Sequence, residues 1–191
     1  MTPRPPPAKR NVELKARLPD IAWARQVAGG LATARLPDQH QVDTYFVCRY
    51  GRLKLREIDG VRAELIGYER PDQQAPKASH YRLVPVSDAA AMKQLLAETL
   101  GIRLVVEKRR EIYLHHHVRI HLDRVVGLGA FMEFEAVLGP EDDVAQGEAQ
   151  LRSLQSLFGI AAADLITGSY ADLAEAAAAA VRPGGTGEGA C

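Results

Sequence analysis

Cysteine, tryptophan and long apolar runs are all scarce in this chain of 191 residues. Its two cysteines are Cys48 and Cys191, and it has one tryptophan. Cys191 ends a tail predicted to be flexible, so we expect no structural disulfide and a protein of the reducing cytoplasm. No segment approaches the roughly 20 apolar residues that cross a bilayer, and the first residues lack the apolar core of a signal peptide.

An excess of charge of either sign is also missing. Lysine plus arginine and aspartate plus glutamate each number 24, so the formal net charge is zero. Proteins that bind nucleic acids or membrane surfaces through charge usually have a basic excess, so the sequence argues against both kinds of partner. The length suits one domain with a sizeable core, and it leaves a monomer and a homodimer open.

The two ends of the chain differ in composition from its middle. Residues 1–9 are rich in proline and predict a disordered lead-in, whereas residues 182–191 are rich in glycine and predict a flexible tail. Residues 10–181 contain no internal repeat and no linker. They therefore predict a single domain.

Short segments of alternating apolar and polar residues dominate that domain, and this period of two is typical of strands. Hairpin signals such as Asp59-Gly60 favour antiparallel pairing, and eight antiparallel strands commonly close into a barrel, which removes exposed edges. The predicted fold is mainly β, in the α+β class: a closed eight-stranded antiparallel barrel forming a tunnel, flanked by helices. The predicted strands are residues 11–18, 39–48, 52–58, 61–70, 79–86, 103–114, 117–125 and 130–138. The predicted helices are residues 21–28, 89–100, 144–158 and 170–181.

The first strand shows how charge is distributed over the barrel. Glu13, Lys15 and Arg17 share one face, while the residues between them are apolar. For one strand, a face in contact with water is the simpler interpretation. Because most other strands repeat the pattern, we predict a charged barrel interior, with apolar faces turned outward and covered by the helices. The further charged or polar positions assigned to this interior are Arg52, Lys54, Arg56, Arg62, Glu64, Tyr68, Arg70, His80, Arg82, Lys108, Arg110, Arg119, His121, Asp123, Glu133 and Glu135.

The arginines and carboxylates of this interior suggest that it binds phosphate groups and a divalent metal. Arginine matches phosphate oxygens through two parallel hydrogen bonds. Hard divalent cations prefer carboxylate oxygens, and Mg²⁺ usually takes one or two of them together with substrate phosphates. A lumen lined in this way would hold a polyphosphate together with its metal.

The order and spacing of these segments resemble the CYTH superfamily, also called triphosphate tunnel metalloenzymes, and within it the class IV adenylyl cyclase branch. Glu13 and Lys15 match the second glutamate and the lysine of its Glu-x-Glu-x-Lys signature, whereas Asn11 stands where the family has its first glutamate. Further segments that carry the resemblance are residues 41–46, 51–57, 65–71, 106–110, 119–123, 128–135 and 169–173.

The resemblance implies a tunnel that binds a triphosphate with Mg²⁺ or Mn²⁺ as cofactor. Glu13 and Lys15 are the candidate catalytic residues. Together, the resemblance and the charged faces give the candidate phosphate ligands Lys15, Arg17, Lys54, Arg56, Arg70, Arg82, Lys108, Arg110 and Arg119. The candidate metal ligands are Glu13, Asp123, Glu133 and Glu135.

The resemblance favours a class IV-type adenylyl cyclase, which converts ATP to cyclic AMP and pyrophosphate. A triphosphatase acting on thiamine triphosphate, inorganic triphosphate or a nucleotide is the alternative, because the same ligands serve either reaction. A polyphosphate-binding module with little turnover is a second alternative, motivated by Asn11, whose amide brings no charge to a metal.

Two other features receive structural interpretations. The run His115, His116 and His117 reads as a hairpin tip, because consecutive strand residues alternate faces and cannot all meet one ion. Ser169 reads as the N-cap of the last helix.

Overall fold

The computed structural model describes residues 9–73, 75–139 and 141–181, and its centre is a closed barrel of eight antiparallel strands. The strands are β1 (Lys9–Arg17), β2 (Ala34–Phe46), β3 (Arg52–Ile58), β4 (Arg62–Glu69), β5 (Lys77–Val86), β6 (Ile102–His115), β7 (Val118–Val125) and β8 (Gly129–Leu138). Around the barrel they follow the order β1-β5-β4-β3-β2-β6-β7-β8, and β8 pairs with β1. The predicted fold class is confirmed.

Four helices flank the barrel. They are α1 (Ile21–Leu31), α2 (Ala89–Leu100), α3 (Val144–Leu157) and α4 (Tyr170–Val181), with a 3-10 turn over Ala162–Asp164. Among the described residues, none of these helices has the length and apolarity needed to span a bilayer. Most of the predicted lead-in, residues 1–8, and the predicted tail, residues 182–191, lie outside the described residues; Lys9 already belongs to β1.

Local sequence signals account for most element boundaries. Asp20 and Asp88 accept hydrogen bonds from the first turns of α1 and α2, as N-cap residues do. Asp59 and Gly60 have φ angles of 53° and 69°, the left-handed pair of a tight hairpin between β3 and β4. Helix α3 begins at Val144, as predicted.

Two predicted boundaries are wrong by three residues or more. Helix α1 does not end at Gly29-Gly30 but continues to Leu31, because neither glycine adopts the left-handed conformation that terminates a helix. Strand β2 begins at Ala34, five residues before its predicted start. Pro37 lies where the pairing with β6 shifts register, so the strand absorbs the proline at an irregularity.

The main apolar core lies outside the barrel, between its wall and the helices. Val12 and Leu14 of β1 are almost completely buried in it, against α1, α3 and the outer faces of β7 and β8. Burying each such side chain contributes about 1.5–3 kcal/mol. The packing is tight at Gly147 of α3, where an added Cβ would lie 3.1 Å from a Val12 methyl group. The lumen is lined mainly by polar residues.

The first turn of α4 covers one end of the barrel. Tyr170 and Ala171 are buried with Phe131 in a second apolar cluster. Ser169 caps the helix, as predicted, through reciprocal hydrogen bonds with Asp172. Burial alone would raise the pKa of Asp172, but hydrogen bonds from Ser169 and Arg103 outweigh it and lower that pKa to about 2. Ion pairs thus fasten α4 to the barrel.

Candidate functional site in the barrel lumen

The lumen is a polar cavity of about 400 Å³. Among the described residues, nine lysine and arginine side chains line it against five carboxylates, although the whole chain is neutral. The cations are Lys9, Lys15, Lys54, Arg56, Arg62, Arg70, Lys108, Arg110 and Arg119, and the carboxylates are Glu13, Asp43, Glu64, Glu133 and Glu135. The excess of positive charge makes the lumen a site for a multiply charged anion.

Most of the predicted site residues meet in this cavity. Ten of them line it: Glu13, Lys15, Lys54, Arg56, Arg70, Lys108, Arg110, Arg119, Glu133 and Glu135. An eleventh, Asp123, lies behind the lining, fully buried, where it accepts two hydrogen bonds from Arg110 at 2.7 and 2.6 Å and one from the Tyr170 hydroxyl at 2.7 Å. Asp123 therefore anchors Arg110 and α4 to each other.

Two predicted residues do not line the cavity. Arg17 is exposed at the end of β1, and its guanidinium lies over the Phe131 ring at 5.5 Å. Arg82 lies on the outer face of β5, because the inward positions of that strand are Ser79, Tyr81 and Leu83. The face predicted for β5 is wrong; both faces of this strand mix polar and apolar residues, so the period of two has no clear phase.

Asp43 organises the cations at the centre of the lumen. It lies on β2, is 1% exposed, and accepts hydrogen bonds from three cations on the two neighbouring strands, β3 and β6. Arg56 donates through Nε and Nη2 at 2.7 and 2.8 Å, Lys54 donates at 2.9 Å, and Lys108 donates at 2.8 Å. One carboxylate thus holds three positive groups close together.

The pKa values follow from this crowding. Burial disfavours the charged form of Asp43, but the charges of Arg56, Lys108 and Lys54 outweigh burial and hold its pKa well below the usual range. Burial, aided by the neighbouring charge of Arg56, lowers the pKa of Lys54 to about 8. Burial likewise lowers the pKa of Lys108 well below its ordinary value, against the opposing charge of Asp43. An incoming anion would relieve this repulsion between cations.

Glu13, Glu133 and Glu135 lie on the opposite wall, formed by β1 and β8, whereas Glu64 belongs to β4. Glu13 and Glu135 are direct cross-strand partners, as are Lys15 and Glu133. The Glu133 carboxylate accepts hydrogen bonds from Lys15 at 3.0 Å and Arg110 at 2.8 Å. Although burial opposes ionisation of Glu133, these cations keep its pKa well below the ordinary value. Glu133 is therefore an anion already committed to two partners.

Glu13, Glu135 and Asn11 form a less saturated oxygen cluster. Glu13 pairs with Arg70, while Glu135 accepts hydrogen bonds from Asn11 Nδ2 at 2.5 Å and Arg119 at 3.2 Å. The side-chain oxygen of Asn11 is buried and has no partner within the described residues. Two carboxylates and an unpartnered amide oxygen suit a divalent cation of the Mg²⁺ type, which needs few protein ligands when phosphates supply the rest.

Three or more carboxylate, histidine or thiol groups do not converge on a metal-sized site anywhere in residues 9–73, 75–139 and 141–181. The oxygen cluster therefore has the composition of a partial site rather than a complete cage. His115 and His117 hydrogen bond to Leu31 and Gln150, respectively, and His116 occupies the left-handed position of a tight turn. The histidine run is a hairpin tip, as predicted.

Two polar groups of the lumen, Asp43 and Gln41, were missed from the sequence, whereas His121 was assigned to the interior without a role. Asp43 is the single Asp, Glu, Lys or Arg of the predicted strand 39–48, so the inner face of that strand was not recognised as charged. His121 is 4% exposed beside Glu133, and burial with the charge of Arg110 lowers its pKa to about 4. The alternation within β2 was the available signal for Asp43.

With this geometry established, the chain can be compared with known proteins. The model of the CYTH domain matches residues 9–170, most of the chain. The chain belongs to the CYTH domain family. Members of this family depend in general on divalent metals and act on triphosphates. The polar lumen described above lies within the residues that the family model matches.

Individual relatives support the same assignment. Adenylate cyclase CyaB of Aeromonas hydrophila is 27% identical over 177 residues, which cover 86% of this chain and 88% of that protein. The PH1012 protein of Pyrococcus horikoshii has a TM-score of 0.77 at 22% identity, covering 85% of this chain and 98% of its own. The PH1819 protein of the same organism has a TM-score of 0.67 at 21% identity, covering 87% and 98%. The two solved structures show a shared fold.

Proposed function

We propose that this CYTH protein is a divalent-metal-dependent enzyme that binds a triphosphate in the barrel lumen, and that its reaction is the cyclisation of ATP to cyclic AMP and pyrophosphate. The observation that carries the proposal is the excess of cations in the lumen. Preorganised positive groups in a site shielded from water stabilise the charge that moves during phosphoryl transfer.

Arg70 supports anion binding in particular. Its guanidinium pairs with Glu13 through one nitrogen, while Nε and Nη2 are buried with no partner among the described residues. Leaving such donors unsatisfied costs free energy, and a phosphate oxygen would satisfy both. Lys15, Lys54, Arg56, Lys108 and Arg110 complete the proposed phosphate ligands, and Arg119 lies closer to the rim.

The cluster of Glu13, Glu135 and the Asn11 oxygen is the proposed location of Mg²⁺ or Mn²⁺. When bound, such an ion supplies charge neutralisation of the phosphates. Glu13 pairs with Arg70, one of the proposed phosphate ligands. Lys15 lies next to Tyr170 at one end of the lumen. We propose Glu13 and Lys15 as the catalytic pair, orienting the reacting phosphate and balancing its charge.

The relative named adenylate cyclase favours cyclisation over hydrolysis. In cyclisation, the ribose 3′-oxygen bonds to the α-phosphorus, the bond from that phosphorus to the bridging oxygen breaks, and pyrophosphate leaves. The hydroxyl proton passes to solvent or to a carboxylate. In a triphosphatase, water would instead attack the terminal phosphorus, with the same cations around it.

A product assay tests the proposal. The protein is incubated with ATP, thiamine triphosphate or inorganic triphosphate, each with Mg²⁺ and with Mn²⁺. Cyclic AMP with pyrophosphate is the expected result, whereas release of orthophosphate would establish the triphosphatase instead. Tight binding of triphosphate without any product would reduce the protein to a binding module.

A variant pair locates the reaction. Glu135→Gln is expected to lower turnover by about 100-fold or more with the fold intact, because it removes a charge from the oxygen cluster. Glu107→Gln is the matched control, since Glu107 is exposed on the outer face of β6. Equal turnover in both variants would rule out the lumen as the active site.

A further inference from the structure

One part of the lumen has no role in binding phosphate. Five strands that are neighbours in the barrel, β5, β4, β3, β2 and β6, each place one aliphatic side chain on the inner face. These residues, here called the aliphatic arc, are Leu83, Ile66, Ile58, Leu36 and Ile112. None of them belongs to the apolar clusters formed by the described residues.

Ile58, Leu36 and Ile112 of the arc lie towards the end of the barrel away from α4, whereas Ile66 is the cross-strand partner of Lys54. Ile58 is the last residue of β3, and Leu36 is the third residue of β2 and the cross-strand partner of Ile112. The opposite end is occupied by Tyr170, which contacts the Lys15 ammonium at 3.8 Å and lies 5.8 Å from the Lys108 ammonium. A ligand with its phosphates among the deep lysines would have its other end beside the arc.

A polar group adjoins the arc and lacks a partner. Gln41, 2% exposed, pairs across strands with Ile58 and donates from Nε2 to the Gln39 side-chain oxygen at 2.6 Å. Its own side-chain oxygen is buried and unpartnered among the described residues. A buried acceptor in this state is satisfied by a ligand that brings an N–H donor.

Resting on the function proposed above, we propose that the aliphatic arc and Gln41 bind the ring of a nucleoside triphosphate whose base carries an exocyclic amine. The flat ring packs on the arc, and the amine donates to the Gln41 oxygen. Ligand pockets commonly combine apolar walls with a few polar groups that fix orientation, and 400 Å³ falls within their usual volumes. Inorganic triphosphate has neither apolar surface nor an amine, so it would leave both features unused.

Calorimetric titration tests this assignment, with Ca²⁺ as the neutralising cation. Leu83→Ala is expected to weaken ATP binding roughly tenfold and to leave inorganic triphosphate within about twofold. Val84→Ala is the matched control, because Val84 is the next residue of the strand and is 54% exposed on the outside. Leu83 is only half-buried, so this variant is expected to fold, as circular dichroism would verify.

Inosine triphosphate tests the amine, since it has a carbonyl oxygen in place of that group. The wild-type protein is expected to bind ATP about tenfold more tightly than inosine triphosphate, and Gln41→Met to remove that preference. Equal affinity of the wild-type protein for both, or equal effects of Leu83→Ala on ATP and inorganic triphosphate, would overturn the ring site while leaving triphosphate binding intact. Absence of saturable binding by every triphosphate would instead overturn the proposed function, and this assignment with it.

Discussion

Asp43 and Glu135 are both carboxylates of the same lumen, yet their surroundings differ. Asp43 is 1% exposed and is surrounded by three cations, Lys54 and Arg56 of β3 and Lys108 of β6. Glu135 has an amide and one half-exposed arginine as partners. The difference separates a carboxylate that builds the site from one that remains available to a ligand.

The largest expected effect is that of removing Asp43, the carboxylate with three cationic partners. Asp43→Ala leaves three buried cations without their shared anion, and breaking a buried ion pair typically costs about 3–5 kcal/mol in the free energy of unfolding. Chemical denaturation of both proteins measures this loss. Asp38→Ala on the same strand is the control, because its exposed pair with Arg35 is worth about 0–1 kcal/mol. Similar losses in the two variants would contradict the distinction.

A pH titration examines the same cationic cluster. Lys54 is charged below its pKa of about 8 and neutral above it, so triphosphate affinity should be complete below pH 8 and fall above it, by up to about tenfold per pH unit. Bound phosphate favours the charged form, so the fall in affinity levels off at the higher pKa that Lys54 has in the complex. Lys54→Arg should displace or flatten the fall, since the guanidinium stays protonated. Calorimetry at several pH values gives the profile, and coincident profiles would exclude Lys54 as the source.

A substitution at Asn11 tests whether Glu135 takes part in metal binding. Asn11→Asp places a charge beside Glu135, so without metal the two carboxylates repel each other and the melting temperature falls. The variant should bind Mn²⁺ about tenfold more tightly than the wild-type protein does. Saturating Mn²⁺ should then raise the melting temperature of the variant by about 3–5 °C more than that of the wild-type protein. Thermal unfolding with Mn²⁺ and with chelator measures the difference. Identical metal-induced shifts in both proteins would place the metal elsewhere.

The smallest effect is expected outside the lumen. Arg17→Ala removes only a contact with the Phe131 ring, worth about 0.5–1 kcal/mol, and should leave triphosphate affinity within about twofold. Calorimetric titration and thermal unfolding check the two expectations. A tenfold loss of affinity would bring Arg17 back among the phosphate ligands.

The alternation of polar and apolar side chains was enough to predict most of the fold and many of the residues that line the lumen. From Val12 to Arg17 of β1 and from Arg52 to Arg56 of β3, charged and apolar residues alternate, so both the strand and its inner face follow from the sequence. In β5, tyrosine, histidine, arginine and leucine alternate without a clear phase, which is why Arg82 was assigned to the wrong face. A period identifies a strand more securely than it identifies the face that looks inward.

The connections between charges could not be predicted in the same way. Asp43 meets Lys54, Arg56 and Lys108 only because β2 lies between β3 and β6, an adjacency that the closure of the barrel creates. Lys108 is 65 residues from Asp43 along the chain. Period and composition describe each strand separately, whereas the partners of a buried charge depend on the order of strands around the barrel.

The first turn of α4 lies at one end of the lumen. Tyr170 lines the lumen there, and Asp123 and Asp172 hold the helix in place. A ligand whose phosphates lie beside Lys15 and Tyr170 would have its other part nearer the opposite end. Of two products, the one nearer that opposite end is then expected to depart first. The position of the last helix would in this way set the order in which products leave.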